Sequence, residues 1–366
     1  MTARIYRSQP IGSLLRPAYL RNARRALRNG EISAAQYKRV EDRAVDEALA
    51  IQEAAGLDVI NDGEQRRMSF LGSLLDAAEG LSRSSAVTQP WHEDDSHVVN
   101  LTLGLAVTGK LRRRRSLATE EFVYARARAR RPLKMTLPSP MILSMFWSPT
   151  ESTAAYRDPF EMFADAAAII HEEIVELARL GCEYIQIDAP ELTNLVDPEV
   201  SRTMLAGRGI EPARMLDEGI ELIDSLATVP GISFGLHLCR GNNDGRWLAK
   251  GGYDGIARQV FQRAAHFHEF LLEYDDPRSG SFEPLAEVPR DKRVALGLVS
   301  TKRNVLESSD ELVSRIEDAA RFFPRDRLAL SPQCGFASGI KGNPVDPEMQ
   351  DRKLRMVADV ARRIWA

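Results

Sequence analysis

Cysteine is scarce. Cys182, Cys239 and Cys334 are the only three among 366 residues, an odd and sparse set that argues against a disulfide framework and for reduced thiols. Long apolar runs are also missing: none reaches the roughly 20 residues of a membrane helix. The opening MTARIYRSQP lacks the apolar core of a secretory leader. A cytoplasmic protein without a membrane partner is therefore expected. Net charge is small, −3 with 28% charged residues of both signs, and the one basic run, 111-LRRRRS-116, is too local for a nucleic-acid footprint. That run reads as a solvated helix flank or loop. With 44% apolar residues, the chain can bury a sizeable core without covalent staples.

Continuously apolar strand-like runs alternate with helical ones, the pattern of parallel strands buried on both faces in an α/β fold. The first candidate strand covers 5–12, and the charged amphipathic stretch that follows predicts two helices broken near Gly30. LDVIND at 57–62 is the second strand and LKMTLP from Leu133 the third; EYIQID, ISFGLHLC, EFLLEY, VALGLVS and LALSPQ complete eight. Residues 68–130 fit no simple helix, mixing a polar loop with hairpin character, and read as an inserted excursion after the second strand. The expectation is a (β/α)8 TIM barrel forming one domain over 1–366. A doubly wound sheet is the alternative, but IGSLLRP is a poor match to the glycine-rich turn it should carry after its first strand.

In such a barrel the chemistry gathers at the C-terminal strand ends, and the residues there are informative. Ser13 follows the first strand, and Asp62, Glu64 and Arg66 follow the second. Asp188 ends the fourth, and His237 and Cys239 end the fifth. Glu273, Asp275 and Asp276 end the sixth, Ser300, Thr301 and Lys302 the seventh, and Cys334 follows the eighth. Residues two apart on a strand point the same way, so His237 and Cys239 can face one ion. With Cys334 and Glu273 they form an imidazole, two-thiolate and carboxylate set of the kind zinc accepts. Cys182, ahead of the fourth strand, reads as a buried structural thiol.

Together IGS, DGEQRR, IQIDAPE, HLCRGN, LEYDD and SPQCGF resemble the cobalamin-independent methionine synthase family, in particular its C-terminal catalytic barrel, over nearly the whole chain. The resemblance implies Zn²⁺ held by His237, Cys239, Glu273 and Cys334. It further implies transfer of a methyl group from 5-methyltetrahydrofolate or a related donor to the thiolate of homocysteine. Ser13, Glu64 and Asp188 would grip the amino-acid part of that thiol, with Glu64 and Asp188 as the catalytic carboxylates.

Zinc would keep the incoming thiol deprotonated and nucleophilic near neutral pH. A methyl on a tertiary amine is a poor electrophile until its nitrogen is protonated, so an acid is needed, and Asp62, Asp275 and Asp276 are candidates. Trp147 is placed to stack on the donor or cap the cavity. HLCRGN with LEYDD and SPQCGFAS also resembles a short single-barrel branch that includes the epoxyalkane:coenzyme M transferases. There a sulfonated thiol would require a cation such as Arg16, Arg240 or Lys302. From a different class, a non-catalytic zinc- or ligand-binding barrel is the third reading. Partners are expected to be a small-molecule thiol and an alkyl donor; a homo-oligomer is compatible with the sequence.

Overall fold

Six of the apolar runs form parallel strands hydrogen-bonded in chain order: Met135–Pro138, Tyr184–Asp188, Ser233–Leu238, Glu269–Glu273, Arg293–Val299 and Leu328–Pro332. Apart from Ser233, every residue in them is buried, as strands covered on both faces require. The computed structural model describes residues 5–366. The segments 5–12 and 57–62 are not regular strands, yet their backbones complete the ring. Leu330 N donates to Arg7 O at 2.9 Å, Asp58 N to Ser8 O at 3.0 Å, Ile60 N to Pro132 O at 2.9 Å, and Lys134 N to Ile60 O at 2.8 Å. The chain therefore has the TIM-barrel fold.

These two segments pair briefly for a local reason. The Asp58 carboxylate accepts from the amides of Arg7 at 2.7 Å and Ser8 at 3.1 Å, taking donors that a longer ladder would use, and Pro10 has no N–H to offer.

Inside the ring Ile11, Leu271, Ala295 and Ala329 form an apolar layer. Nearby, Lys134 Nζ donates to Gln9 Oε1 at 3.1 Å and Gln186 Oε1 at 2.7 Å, while Gln9 Nε2 donates to Glu269 at 3.0 Å. Gly235 keeps this interior open: a Cβ there would stand 2.8 Å from Leu271 Cδ1 and 3.0 Å from the Tyr184 hydroxyl.

Outside the ring, Ala18–Arg28 and Ala34–Ala55 are the two helices separated near Gly30. Ser33 and Gln36 make a reciprocal cap at the start of the second, and Gly56 ends it in the left-handed region at φ 85°, where glycine carries no Cβ penalty. Pro159–Arg179 and Pro347–Trp365 are the longest later helices. Among the described residues no helix is long and apolar enough to cross a membrane.

The excursion after the second barrel segment contains two antiparallel pairs. Ala78–Arg83 lies against Leu105–Arg113, and Thr88–His92 against Val98–Thr102. The basic run meets the expectation of a solvated loop only in its second half, where Arg114 and Arg115 are exposed. Arg112 and Arg113 belong to a strand, Arg113 pairs with Glu173 and, at 2.8 Å, with Glu176, and Arg114 and Arg115 donate to Asp76 O at 2.9 and 3.1 Å. Arg113 thus ties the hairpin to the helix Pro159–Arg179, while Arg112, Arg114 and Arg115 are exposed.

Candidate active site

Two strand ends and one following loop bring His237, Cys239 and Cys334 together. His237 is the penultimate residue of Ser233–Leu238, Cys239 comes just beyond its end, and Cys334 follows Leu328–Pro332. The pleat turns His237 and Cys239 to one side, and all three are buried with their ligating atoms within 4.8 Å of one another. The two sulfurs are 3.9 Å apart, far beyond the ~2.05 Å of a disulfide. Two thiolates on a tetrahedral zinc with ~2.3 Å bonds would be about 3.8 Å apart, so this spacing suits two ligands of one ion. His237 Nδ1 is 3.1 Å from Leu271 O, which fixes the tautomer and leaves Nε2 as the lone-pair nitrogen. That buried Nε2 has no hydrogen-bond partner. A metal would satisfy it, and the donor set fits zinc on this ground.

The thiols are already uneven. The contact with Cys239 and the nearby His237 hold the Cys334 thiol well below its ordinary value despite burial. The same contact and burial push Cys239 well above its own.

Glu273 lies outside this group. Its Oε1 accepts from Lys302 Nζ at 2.5 Å, its Oε2 from the Arg240 amide at 2.5 Å, and Arg278 lies 3.6 Å away. Burial opposes ionisation, but Lys302, Arg240 and Arg278 bring the carboxyl down to about 2. The expected fourth ligand is thus held by cations, and the group that could hold a metal is a triad of one nitrogen and two sulfurs.

The triad opens into a cavity of about 350 Å³ that Ser13, Glu64 and Asp188 also line. Ser13 Oγ accepts from the Ala337 amide at 3.3 Å. Glu64 stands on a constrained turn: Asn61 Oδ1 accepts from Gly63 N and Asp62 Oδ1 from Glu64 N, each at 2.9 Å. Glu64 itself has φ 51°, an uncommon conformation for a non-glycine residue that often marks a functional site. Its Oε1 accepts from Thr136 Oγ1 at 2.7 Å, and its buried Oε2 has no partner. Asp188 closes its strand and accepts from Gln186 Nε2 at 2.6 Å. Burial carries its carboxyl up to about 7, with His237 opposing and Glu64 adding to the shift.

Trp147 does not join the cavity wall. It packs in the main core, and its indole N–H donates to Arg208 O at 3.0 Å; the aromatic residues at the wall are instead Trp91, Phe70 and Phe146. Trp91 sits in the excursion strand Thr88–His92, and its signal is a lone tryptophan inside a polar stretch. Asp62, Asp275 and Asp276 also do not line the cavity; Asp275 lies 3.6 Å from Lys302, and Asp276 pairs with Arg278 at 2.6 Å.

Sequence reasoning missed Glu191. It lies on the 3₁₀ turn Pro190–Val196 directly after the Asp188 strand, is 1% exposed and lines the cavity. The motif IQIDAPE contains it, but nothing in the spacing shows that the turn folds inward.

Among the described residues no lysine or arginine lines this cavity. Arg16 donates to the carbonyls of Arg67, Ala337 and Glu64 at 2.8 to 3.0 Å. Arg240 donates to Gly251 O at 2.7 Å, and Lys302 is held by Glu273.

Burial raises the Glu191 carboxyl from 4.5 to about 8, with the Ser139 hydroxyl opposing and Asp188 adding to the rise. Folded protein therefore retains this proton where unfolded protein has lost it, so stability contributed by the neutral carboxyl is complete below about pH 4.5 and disappears as pH rises through about 8. In metal-free protein the Glu191→Gln variant is expected to show a flatter fall in unfolding free energy across that window. Urea titrations at stepped pH measure it, and parallel wild-type and variant curves would contradict it.

Comparison with known proteins places these features in context. Residues 7–361 match the family model described as cobalamin-independent synthase, catalytic domain. Protein YxjH of Bacillus subtilis is 34% identical, over 98% of this chain and 95% of its own length. A methionine synthase of Saccharolobus solfataricus is 23% identical, over 89% of this chain and 86% of its own. The structure of a B12-independent methionine synthase from Shewanella, in complex with selenomethionine, superposes with a TM-score of 0.73 at 18% identity, covering 99% of this chain and 98% of that one. At that identity the match speaks to the fold.

Proposed function

Because this chain belongs to the family of cobalamin-independent synthase catalytic domains, we propose that it is a cytoplasmic, zinc-dependent S-methyltransferase acting on homocysteine. The observation that carries this reading is the buried His237, Cys239 and Cys334 triad opening into a cavity with Ser13 and two carboxylates. Zinc, when bound, would hold an acceptor thiol as a nucleophilic thiolate at neutral pH.

The remaining steps belong to the protein. Glu64 and Asp188 receive the acceptor's ammonium group, the unpartnered Glu64 Oε2 being available to accept from it. Ser13 meets its carboxylate. Glu64 is held in place by Thr136 and by its turn, so little reorganisation is needed when the substrate arrives. The apolar wall excludes water from the reacting sulfur. With the metal bound, Glu273, now paired with Lys302, would serve as a displaceable fourth ligand.

A sulfonated thiol acceptor is disfavoured, since the three cations named for it are occupied and no other cation among the described residues lines the cavity. Zinc K-edge absorption on the zinc-loaded protein tests the assignment. Homocysteine is expected to add a sulfur to the metal shell and coenzyme M to leave it unchanged; no change with homocysteine would remove the substrate assignment. Entry of homocysteine without methyl transfer from any donor would instead favour a non-catalytic barrel.

A further inference from the structure

We propose that Glu191 is the proton donor to the leaving nitrogen of an N-methyl donor, an inference that rests on the thiol-methylation reading above. The candidate acids named from the rim, Asp62, Asp275 and Asp276, do not line the cavity. Three carboxylates do. Glu64 has Thr136 Oγ1 at 2.7 Å and the Arg67 guanidinium at 3.7 Å, and Asp188 has the Gln186 amide and lies beside His237 on the neighbouring strand. Both are suited to receive a substrate cation.

Glu191 differs from them. One oxygen accepts from the Ser139 hydroxyl, while Oε2 is buried and has no partner. Among the described residues no salt bridge reaches this side chain, and the cavity wall also carries the apolar Ile142, Met145 and Phe146 on the 3₁₀ helix Pro140–Phe146. A carboxyl in a dry pocket without a balancing cation favours its neutral form, and a neutral carboxyl facing the substrate is a general acid. The rise of this group to about 8 agrees with that geometry.

The step balances. The acceptor thiolate forms an S–C bond to the methyl carbon of a tertiary N-methylamine as the C–N bond breaks, and the C–N electron pair passes to nitrogen. The Glu191 proton joins that nitrogen, the products are a methyl thioether and a secondary amine, and Glu191 is left as a carboxylate that takes a proton from water after product release.

A donor whose leaving group departs neutral without a proton separates this role from binding. Zinc-loaded wild type and Glu191→Gln protein are each given homocysteine with 5-methyltetrahydrofolate monoglutamate or with trimethylsulfonium, which leaves as dimethyl sulfide. The substitution is expected to lower the ratio of the N-methyl rate to the sulfonium rate by about 100-fold, the low end of general-acid contributions. An unaltered ratio in Glu191→Gln overturns the proposal whether both rates fall or neither does, and a wild type active with the sulfonium alone overturns it while leaving thiol methylation standing. Inactivity of wild type with both donors overturns the methylation reading as well. Unfolding midpoints of the two proteins show whether the variant is folded.

Discussion

Cys334→Ser protein is expected to purify without stoichiometric zinc and to lose about three orders of magnitude in methyl-transfer rate. Serine offers a hard hydroxyl that stays protonated near pH 7, whereas zinc binds the thiolate. Cys334 is the sulfur already held in the more acidic state, and its loss leaves His237 and Cys239 with only Glu273, which is paired with Lys302, to make up the three protein ligands a zinc site needs. Metal catalysis of this kind supplies several kcal/mol, and each 1.36 kcal/mol is about tenfold in rate. Cys239→Ser is expected to behave alike. Inductively coupled plasma mass spectrometry on dialysed protein, with a turnover assay, checks both; equal metal content in wild type and variants would refute the site. Cys182→Ser is the control, since that thiol is buried ahead of the Tyr184–Asp188 strand, with its sulfur 3.4 Å from Tyr184 O, and takes no part in the triad.

The second large effect concerns stability. Arg67→Met is expected to cost about 3–5 kcal/mol, the range for removing one partner of a buried ion pair. Arg67 is 3% exposed. Its Nε and Nη2 donate to Glu121 Oε2 at 3.0 and 2.7 Å, its Nη1 donates to Thr136 Oγ1 at 3.0 Å, and Glu64 lies 3.7 Å away. Glu121, Glu64 and Asp62 together hold the guanidinium well above its ordinary value in spite of burial. Methionine fills similar volume but leaves Glu121 buried without a counter-charge. A lower urea midpoint at unchanged slope would register the loss. Adding Glu121→Gln should recover part of it, because the stranded charge is then gone. A change under about 1 kcal/mol, at the level of an exposed pair, would show that the pair adds little. Arg67 also fixes Thr136, which holds Glu64, so a raised KM for the acceptor is expected beside the stability loss.

Much of the barrel was legible. Runs such as VALGLV are apolar without alternation, the composition expected of a short strand covered on both faces. The polar ends of those runs located the rim. The segments 5–12 and 57–62 were readable as strand positions but not as mere bridges, since that outcome depends on Asp58 taking two amides from across the chain. Trp147 misled because an aromatic in a loop beyond a strand can turn toward the cavity or the core, and its direction is settled by the Arg208 carbonyl 61 residues away.

The metal group divides along the same line. The sequence by itself determined that His237 and Cys239 share a face, because a pleated strand repeats every two residues, and that Cys334 comes after a strand ending at the same rim. Tertiary structure alone decided that Glu273 faces Lys302 and the Arg240 amide, that Glu191 turns inward with one oxygen unpartnered, and that Arg16 and Arg240 are spent on carbonyls. Local periodicity sets the direction of a side chain, but its partner is chosen by packing among residues far apart in the chain, where burial makes every unpaired charge costly.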